Sequence, residues 1–242
     1  MKIALFGYGK MGKIIEKIAE ERGHKVVLKI QSDKTNYDIK QADIAIDFSV
    51  PSAAVANIKE ALNNQLPVVC GTTGWLNHYD EVEKICRSKK GAFIYASNFS
   101  LGVNLFFELN QKLAKLMSAH PDYTAKIEEI HHTEKKDAPS GTAITLAEAL
   151  IDRSSYLDWC LGKTNDSKQL SIQAKRIENV SGTHRVLYDS PIDSVEIIHT
   201  AKSRHGFGFG AVIAAEWLLG RTGVFSMKDV LNTNNSQQKK WL

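Results

Sequence analysis

The sequence predicts an α/β fold, with a doubly wound parallel sheet through residue 98 and then a second, smaller α+β domain carrying an open mixed sheet. Three observations predict it. Short apolar runs alternate with segments of helical period. The first of those runs stops at a glycine cluster that opens a helix. After Asn98 the rhythm changes to one long helix followed by several strands close together.

The elements follow in order. Lys2–Phe6 is an apolar run ending at glycine, the pattern of a buried parallel strand. Met11–Glu21 carries Met11, Ile14, Ile15, Ile18 and Ala19 at helical spacing, and Gly23 ends it. Lys25–Ile30 is a second strand and Asp43–Phe48 a third. Pro51–Asn63 is a helix opened by Ser49 or Pro51. Pro67–Cys70, a helix over Asn77–Ser88 and a strand over Ala92–Ala96 complete the alternating part. Ser100–Ser118 is a long helix with Ser100 placed to cap it. Tyr123–His132 is a strand and Ser140–Arg153 a helix. Leu170–Asn179, His184–Asp189 and Ser194–Thr200 are three further strands, with Gly182 and Pro191 in the turns. A helix over Gly210–Leu219 and a short strand and helix over Gly223–Leu231 close the chain. There is no internal repeat and no low-complexity linker, so the domain boundary rests on the change of pattern.

Composition narrows the class. The 242 residues are 43% hydrophobic and 24% charged, which is ordinary for a globular chain, and the net charge is a mild +4. No basic stripe is present, so no nucleic-acid partner is expected. No segment is apolar enough to span a membrane. Cys70, Cys86 and Cys160 are odd in number and lack metal-ligand spacing, which reads as reduced thiols in a cytoplasmic protein. The apolar start lacks a signal-peptide cleavage site and reads as a strand.

Gly7-Tyr8-Gly9-Lys10-Met11-Gly12 is G-x-G-x-x-G between a strand and a helix. The first glycine makes the tight turn, the second lets a pyrophosphate approach the backbone, and the third lets helix and strand pack closely. The helix N-terminus supplies N–H groups and the positive end of a dipole. Asp33 lies where an acid would hold ribose hydroxyls. It favours NAD, whereas Lys34 or Lys10 could accept the 2′-phosphate of NADP. Two more loops lie at carboxyl ends of strands, where ligands of this architecture bind: Asp47-Phe48-Ser49 and Gly71-Thr72-Thr73-Gly74.

The densest chemistry lies between Glu129 and Ala143. One half ends a strand with His131 and His132, and histidine is the natural general acid near neutral pH. Neighbouring strand residues face opposite ways, so one of the two is expected to face a given pocket. Lys135 adds a fixed positive charge. The other half opens a helix: Pro139 stiffens the turn, Ser140 or Thr142 can cap, and Gly141 leaves the backbone bare for a carboxylate. A reductase of an unsaturated acid needs these parts beside a hydride donor. No further His, Cys or Asp lies at a ligand spacing, so no metal is expected. Among the other histidines, His184, His199 and His205 border the second sheet or the late helix.

These residues resemble the 4-hydroxy-tetrahydrodipicolinate (dihydrodipicolinate) reductase family. Its most specific element, E-x-H-H-x-x-K-x-D-A-P-S-G-T-A, stands here as Glu129 to Ala143. Gly71–Gly74 matches the family's G-T-T-G, Asn98–Asn104 its N-F-S-x-G-V-N, and Gly182-Thr183-His184 a G-x-H. Ser203-Arg204-x-x-Phe207, Gly210-Ala211, Trp217 and the Phe225–Leu231 tail match as well. The resemblance implies a Rossmann-type cofactor domain over 1–98 and 205–242, and a substrate-binding and oligomerisation domain over 99–204, assembled as a homotetramer. It implies that NADH or NADPH delivers hydride to C4 of a cyclic, conjugated imine dicarboxylate, in the diaminopimelate route to lysine. His131 would then supply the proton, with Lys135 the catalytic partner that binds or protonates the substrate. His132, Gly141 and Thr142 would hold the substrate. Gly7, Tyr8, Gly9, Lys10, Met11, Gly12, Asp33, Gly71, Thr72, Thr73, Ala96, Ser97, Asn98 and Phe99 would line the cofactor.

The chain also departs from the family. Its glycine loop is one residue shorter than in many members, with Lys10 where an arginine is common. Thr133 and Glu134 follow the His pair where basic residues are frequent, which bears on substrate affinity rather than reaction type. Asp33 replaces an arginine that grips the 2′-phosphate in some members, so NADH is expected ahead of NADPH. An amino-acid dehydrogenase would share the glycine loop but has no reason to carry Glu129–Ala143. A dinucleotide-sensing protein without turnover has no reason to keep His131 and Lys135.

Overall fold

The computed structural model describes residues 1–31 and 36–231. Asp33 and Lys34 lie outside the described residues. In chain order the elements are β1 (Lys2–Phe6), α1 (Lys10–Glu21), β2 (Lys25–Ile30), β3 (Ile44–Asp47), α2 (Pro51–Asn63), β4 (Val68–Cys70), α3 (Tyr79–Ser88), β5 (Ala92–Tyr95) and α4 (Leu101–Met117). Then come β6 (Thr124–His131), α5 (Gly141–Ile151), β7 (Asp158–Leu161), β8 (Gln169–Arg176), β9 (Thr183–Asp189), β10 (Ser194–Thr200), α6 (His205–Leu218), β11 (Gly223–Phe225) and α7 (Met227–Val230). They form two compact units, Met1–Leu101 with His205–Leu242, and Gly102–Arg204.

The first unit is a six-stranded sheet in the order β11-β5-β4-β3-β1-β2, every neighbouring pair parallel. Both faces are buried, which is why the strands read as continuous apolar runs. Ile3 and Leu5 join Ile15, Ile18, Ala211 and Ala215 in one core. Ala4 and Phe6 join Ile58, Leu62, Val82 and Phe93 in the other. The chain steps one way from β1 to β2 and the other way from β3 through β4 and β5. The loops leaving β1 and β3 therefore flank the point where the winding reverses, the place where this architecture leaves a crevice.

The second unit is a mixed sheet in the order β10-β9-β6-β8-β7. Its central β6 is antiparallel to β9 and parallel to β8. Alternation along β6 sends Ala125 and Ile127 inward, against Leu146, Ala147 and Leu150 of α5. The outer face is polar, with Glu128 paired to Lys175 and Arg185 to Glu196.

Three expectations are corrected. The edge strand β7 was not expected, because four residues give no readable period. The helix expected over Asn77–Ser88 is a short 3-10 turn at Leu76–His78 followed by α3. The strand expected to reach Asn179 stops at Arg176, where the chain turns through Asn179 at φ +62°. Among the described residues, no helix is long and apolar enough to cross a membrane.

Candidate active site

Each unit carries one half of the chemistry. In the first, Gly7 leaves β1 at φ +86°, and a Cβ there would lie 2.3 Å from the Phe48 carbonyl oxygen. A Cβ on Gly12 would lie 2.4 Å from the Gly7 carbonyl oxygen, and one on Gly71 would lie 2.3 Å from the Phe48 ring. These three glycines are dictated by packing. Gly9 is different: nothing lies within 4 Å of where its Cβ would be. It precedes α1 and gives the helix no side-chain cap, so the first N–H groups of a twelve-residue helix face that open space. A bare backbone before an uncapped helix suits a pyrophosphate.

The neighbouring loops are tied together by Asp47, which is fully buried at the end of β3. It accepts from the Ser49 N–H at 3.0 Å, the Ser49 hydroxyl at 2.8 Å, the Asn57 amide at 2.8 Å and the Thr72 hydroxyl. Burial pushes its carboxyl above the ordinary range against the pull of those donors. The result is a cleft lined by Met11, Phe48, Ser49, Gly71, Thr72 and Thr73 at the carboxyl ends of the strands.

The other cofactor candidates fall into different roles. Tyr8 donates to Glu16, with the Lys29 ammonium 4.6 Å from its ring centre, so its ring braces the glycine loop. Lys10 and Ser97 are exposed, and Ala96 and Asn98 half-buried. Phe99 is 1% exposed and packs at 5.8 Å from Phe48, so its side chain is core and only its backbone is left for a ligand.

In the second unit the motif closes around Glu129, which is fully buried on the inner face of β6. Its Oε1 accepts from the Ser140 N–H and from Arg176 Nη2, both at 3.1 Å. Its Oε2 lies 3.0 Å from His131 Nδ1 and 3.9 Å from His184 Nε2. The contact to His131 is close but off the line of a hydrogen bond, so both atoms keep unspent polarity. Strand register makes this cluster: Glu129 stands opposite His184 of β9, and His131 opposite Arg176 of β8. The His131 and His184 rings meet edge-on at 5.0 Å. His184 Nε2 lies 3.1 Å from the Ser140 hydroxyl, and burial, aided by the neighbouring His131, pushes its pKa down to about 3. Burial works to raise the Glu129 pKa, but its contacts with His131, Ser140 and Arg176 win and hold it at about 2.

Arg176 also pins the loop that follows. Its Nη2 donates to the Asp137 carbonyl at 2.5 Å and its Nε to the Lys135 carbonyl at 3.3 Å. Lys135 Nζ lies 2.8 Å from both carboxylate oxygens of Asp137, which that ammonium holds below the ordinary range. Ser140, rather than Thr142, caps α5 by accepting from the Ala143 N–H at 3.2 Å. Gly141 and Thr142 then supply the first N–H groups of that helix. His132 is half-buried just beyond the strand, and its carbonyl closes a turn to the Lys135 N–H at 3.2 Å.

Sequence reasoning gave no part to Arg176 and none to the Glu129 carboxylate. Glu129 shares a strand face with His131 two residues on, a spacing that could have marked it, whereas Arg176 is brought in only by strand pairing. The same pairing brings His184 beside Glu129 and His131, a closeness that sequence spacing does not show. Donor atoms of Glu129, His131 and His184 lie within 4.8 Å of one another. Arg176 and Ser140 already occupy part of that donor set. A wider cleft of about 780 Å³, bordered by Tyr123, Arg153, Lys163 and Lys168, lies by the opposite end of β6 and holds none of the motif residues.

Comparison with known proteins gives a consistent result. The family model for the N-terminus of dihydrodipicolinate reductase matches residues 1–99, and the model for its C-terminus matches residues 102–231. A 4-hydroxy-tetrahydrodipicolinate reductase of Christiangramia forsetii is 56% identical over 235 residues, 96% of this chain and 98% of that protein. One of Methanosarcina mazei is 34% identical over 235 residues, covering 95% and 88%. The dipicolinate-bound dihydrodipicolinate reductase of a Paenisporosarcina species superposes with a TM-score of 0.74 at 20% identity, covering 93% of this chain and 97% of that one.

The Glu129 network has a pH signature. A carboxyl held at about 2 in the fold and near 4.5 when free contributes stability that is complete above about 4.5 and is lost as pH falls toward about 2. The melting temperatures of the native protein and of Glu129→Gln are expected to differ most near neutral pH and to converge as pH drops below 4.5. A gap independent of pH would show that the carboxylate is not ionised in the folded state.

Proposed function

The chain belongs to the dihydrodipicolinate reductase family, and from that premise we propose how its two halves share the work. The reaction is reduction of 4-hydroxy-tetrahydrodipicolinate to tetrahydrodipicolinate with a reduced nicotinamide dinucleotide, in the diaminopimelate route to lysine. The observation that carries the reading is the Glu129–Ala143 segment, which gathers an acid, a cation and an open helix N-terminus within one unit.

The reduced nicotinamide supplies the hydride that adds to C4 of the substrate ring. Gly7, Gly9 and Gly12 leave backbone bare for its pyrophosphate, and Gly71, Thr72 and Thr73 form the floor beside it. Tyr8, Lys10, Met11 and the backbone of Ala96, Ser97, Asn98 and Phe99 complete the rim. By its place in the sequence, Asp33 would accept from the ribose hydroxyls and its charge would repel a 2′-phosphate, which favours NADH over NADPH.

His131 donates a proton to the carbon next to C4. Lys135 exchanges the Asp137 carboxylate for that of the substrate, and the Gly141 and Thr142 N–H groups with His132 hold the dicarboxylate. Cofactor binding is assigned to 1–98 and 205–242, and substrate binding and oligomerisation to 99–204. Assembly as a homotetramer is supported by the open outer face of the second sheet. The free cysteines, two of them buried, accord with the cytoplasm.

The direct test follows absorbance of the reduced nicotinamide with freshly generated 4-hydroxy-tetrahydrodipicolinate, NADH and NADPH in parallel. Faster decay with NADH is expected, and Asp33→Arg should move the ratio toward NADPH; an unmoved ratio would mean that the ribose is read elsewhere. His131→Gln should lower kcat by about 100- to 10,000-fold with NADH affinity kept. Unchanged turnover would remove His131 from the mechanism. Gly9→Val should fold normally, since a Cβ there meets nothing within 4 Å, yet weaken NADH binding. A loss of roughly tenfold or more in Kd by calorimetry is expected. A native Kd would refute the glycine-loop site.

A further inference from the structure

We propose that Glu129 is a positioning residue that holds a proton on Nδ1 of His131 and so makes Nε2 the atom that delivers the proton to substrate. The proposal rests on His131 being the proton donor.

Three observations lead to it. Glu129 is fully buried, and its Oε2 lies 3.0 Å from His131 Nδ1. The other carboxylate oxygen is held by Arg176 and the Ser140 N–H, so the group cannot turn away without breaking both. The His131 side chain is 11% exposed while Nδ1 is buried, so that exposure belongs to the rest of the ring. On the Nε2 edge stands Gly182 at φ +151°, where a Cβ would come within 3.1 Å of Nε2. A side chain there would cover this nitrogen; glycine leaves it bare.

The neighbouring imidazole does not compete for the role. His184 is held beside the Ser140 hydroxyl at 3.1 Å and packs edge-on against His131. It is a wall against one side of the His131 ring.

The proton balance then closes. The Nε2–H bond breaks, its electron pair stays on Nε2, and the proton bonds to the ring carbon that holds the pair left after hydride addition. The neutral imidazole that remains carries its one proton on Nδ1, whose positive end the Glu129 carboxylate 3.0 Å away attracts. Without Glu129 the free ring would keep its proton mainly on Nε2 and stand in the wrong form after each turnover.

The test reads the tautomer directly and needs no turnover. Long-range proton–nitrogen spectra of the nitrogen-15-labelled full chain, taken at alkaline pH, give both ring nitrogens of His131, assigned by their loss in His131→Gln. The native protein is expected to show Nδ1–H. Glu129→Leu should show Nε2–H and lose about 10- to 100-fold in kcat with NADH affinity unmoved. Glu129→Gln, whose amide oxygen can still accept, should restore the Nδ1–H form and part of kcat. Nε2–H in the native protein would overturn the proposal without any variant having to fold. So would native kcat in a folded Glu129→Leu. Retained turnover in His131→Gln would instead overturn the assignment of the donor, so the two failures are separate.

Discussion

The second unit is organised around one constraint, a carboxylate with no access to water. Placing Glu129 on the inner face of β6 forces every neighbour to answer its charge. Arg176 answers from β8, the Ser140 N–H from the start of α5, and His131 from the same strand two residues on. Breaking such a buried pair by removing one partner typically costs about 3–5 kcal/mol, so the network constrains the fold as strongly as a piece of apolar core. It also joins strand, loop and helix at one point. The position of Lys135 depends on it too, because Arg176 clamps the carbonyls on either side of that turn.

The first unit solves the opposite problem. A dinucleotide needs close approach to backbone, so the site is built from what is missing. Gly7, Gly12 and Gly71 let three loops pack to distances that a Cβ forbids, and Asp47 ties two of those loops together through Ser49 and Thr72. Of the three motif glycines, Gly9 alone has nothing crowding it. Within one motif, packing dictates two of the glycines and the third borders open space, a distinction that the spelling G-x-G-x-x-G does not make.

What was legible in the sequence divides along the same line. Local signals were strong where local physics decides: glycine after an apolar run, Pro51 at the first turn of α2, and alternation along β6. The parallel sheet and the glycine loop followed from those. The content of the Glu129 cluster was half legible. His131, Lys135 and Ser140 lie in one segment and could be read together. Arg176 and His184 lie 47 and 44 residues from the groups that they touch, Glu129 and Ser140. Only strand register brings them in, and register is a long-range property that spacing in one sequence does not encode. The edge strand β7 escaped for a simpler reason: four residues of mixed polarity carry no period.

This division bears on the two departures from the family pattern beside the His pair. Thr133 and Glu134 remove basic side chains at positions that are exposed and outside the buried network. The charges that are fixed in place, Arg176 and Lys135, are held by backbone carbonyls and by Asp137 and do not depend on those two positions. Exposed charges act through screened solvent, and their contribution to attracting a dianion falls with salt. The half-buried Arg176 and Lys135 are instead fixed at short range by those partners. Losing the former therefore weakens a screened, long-range attraction and leaves intact the contacts of Glu129 with Arg176, Ser140 and His131.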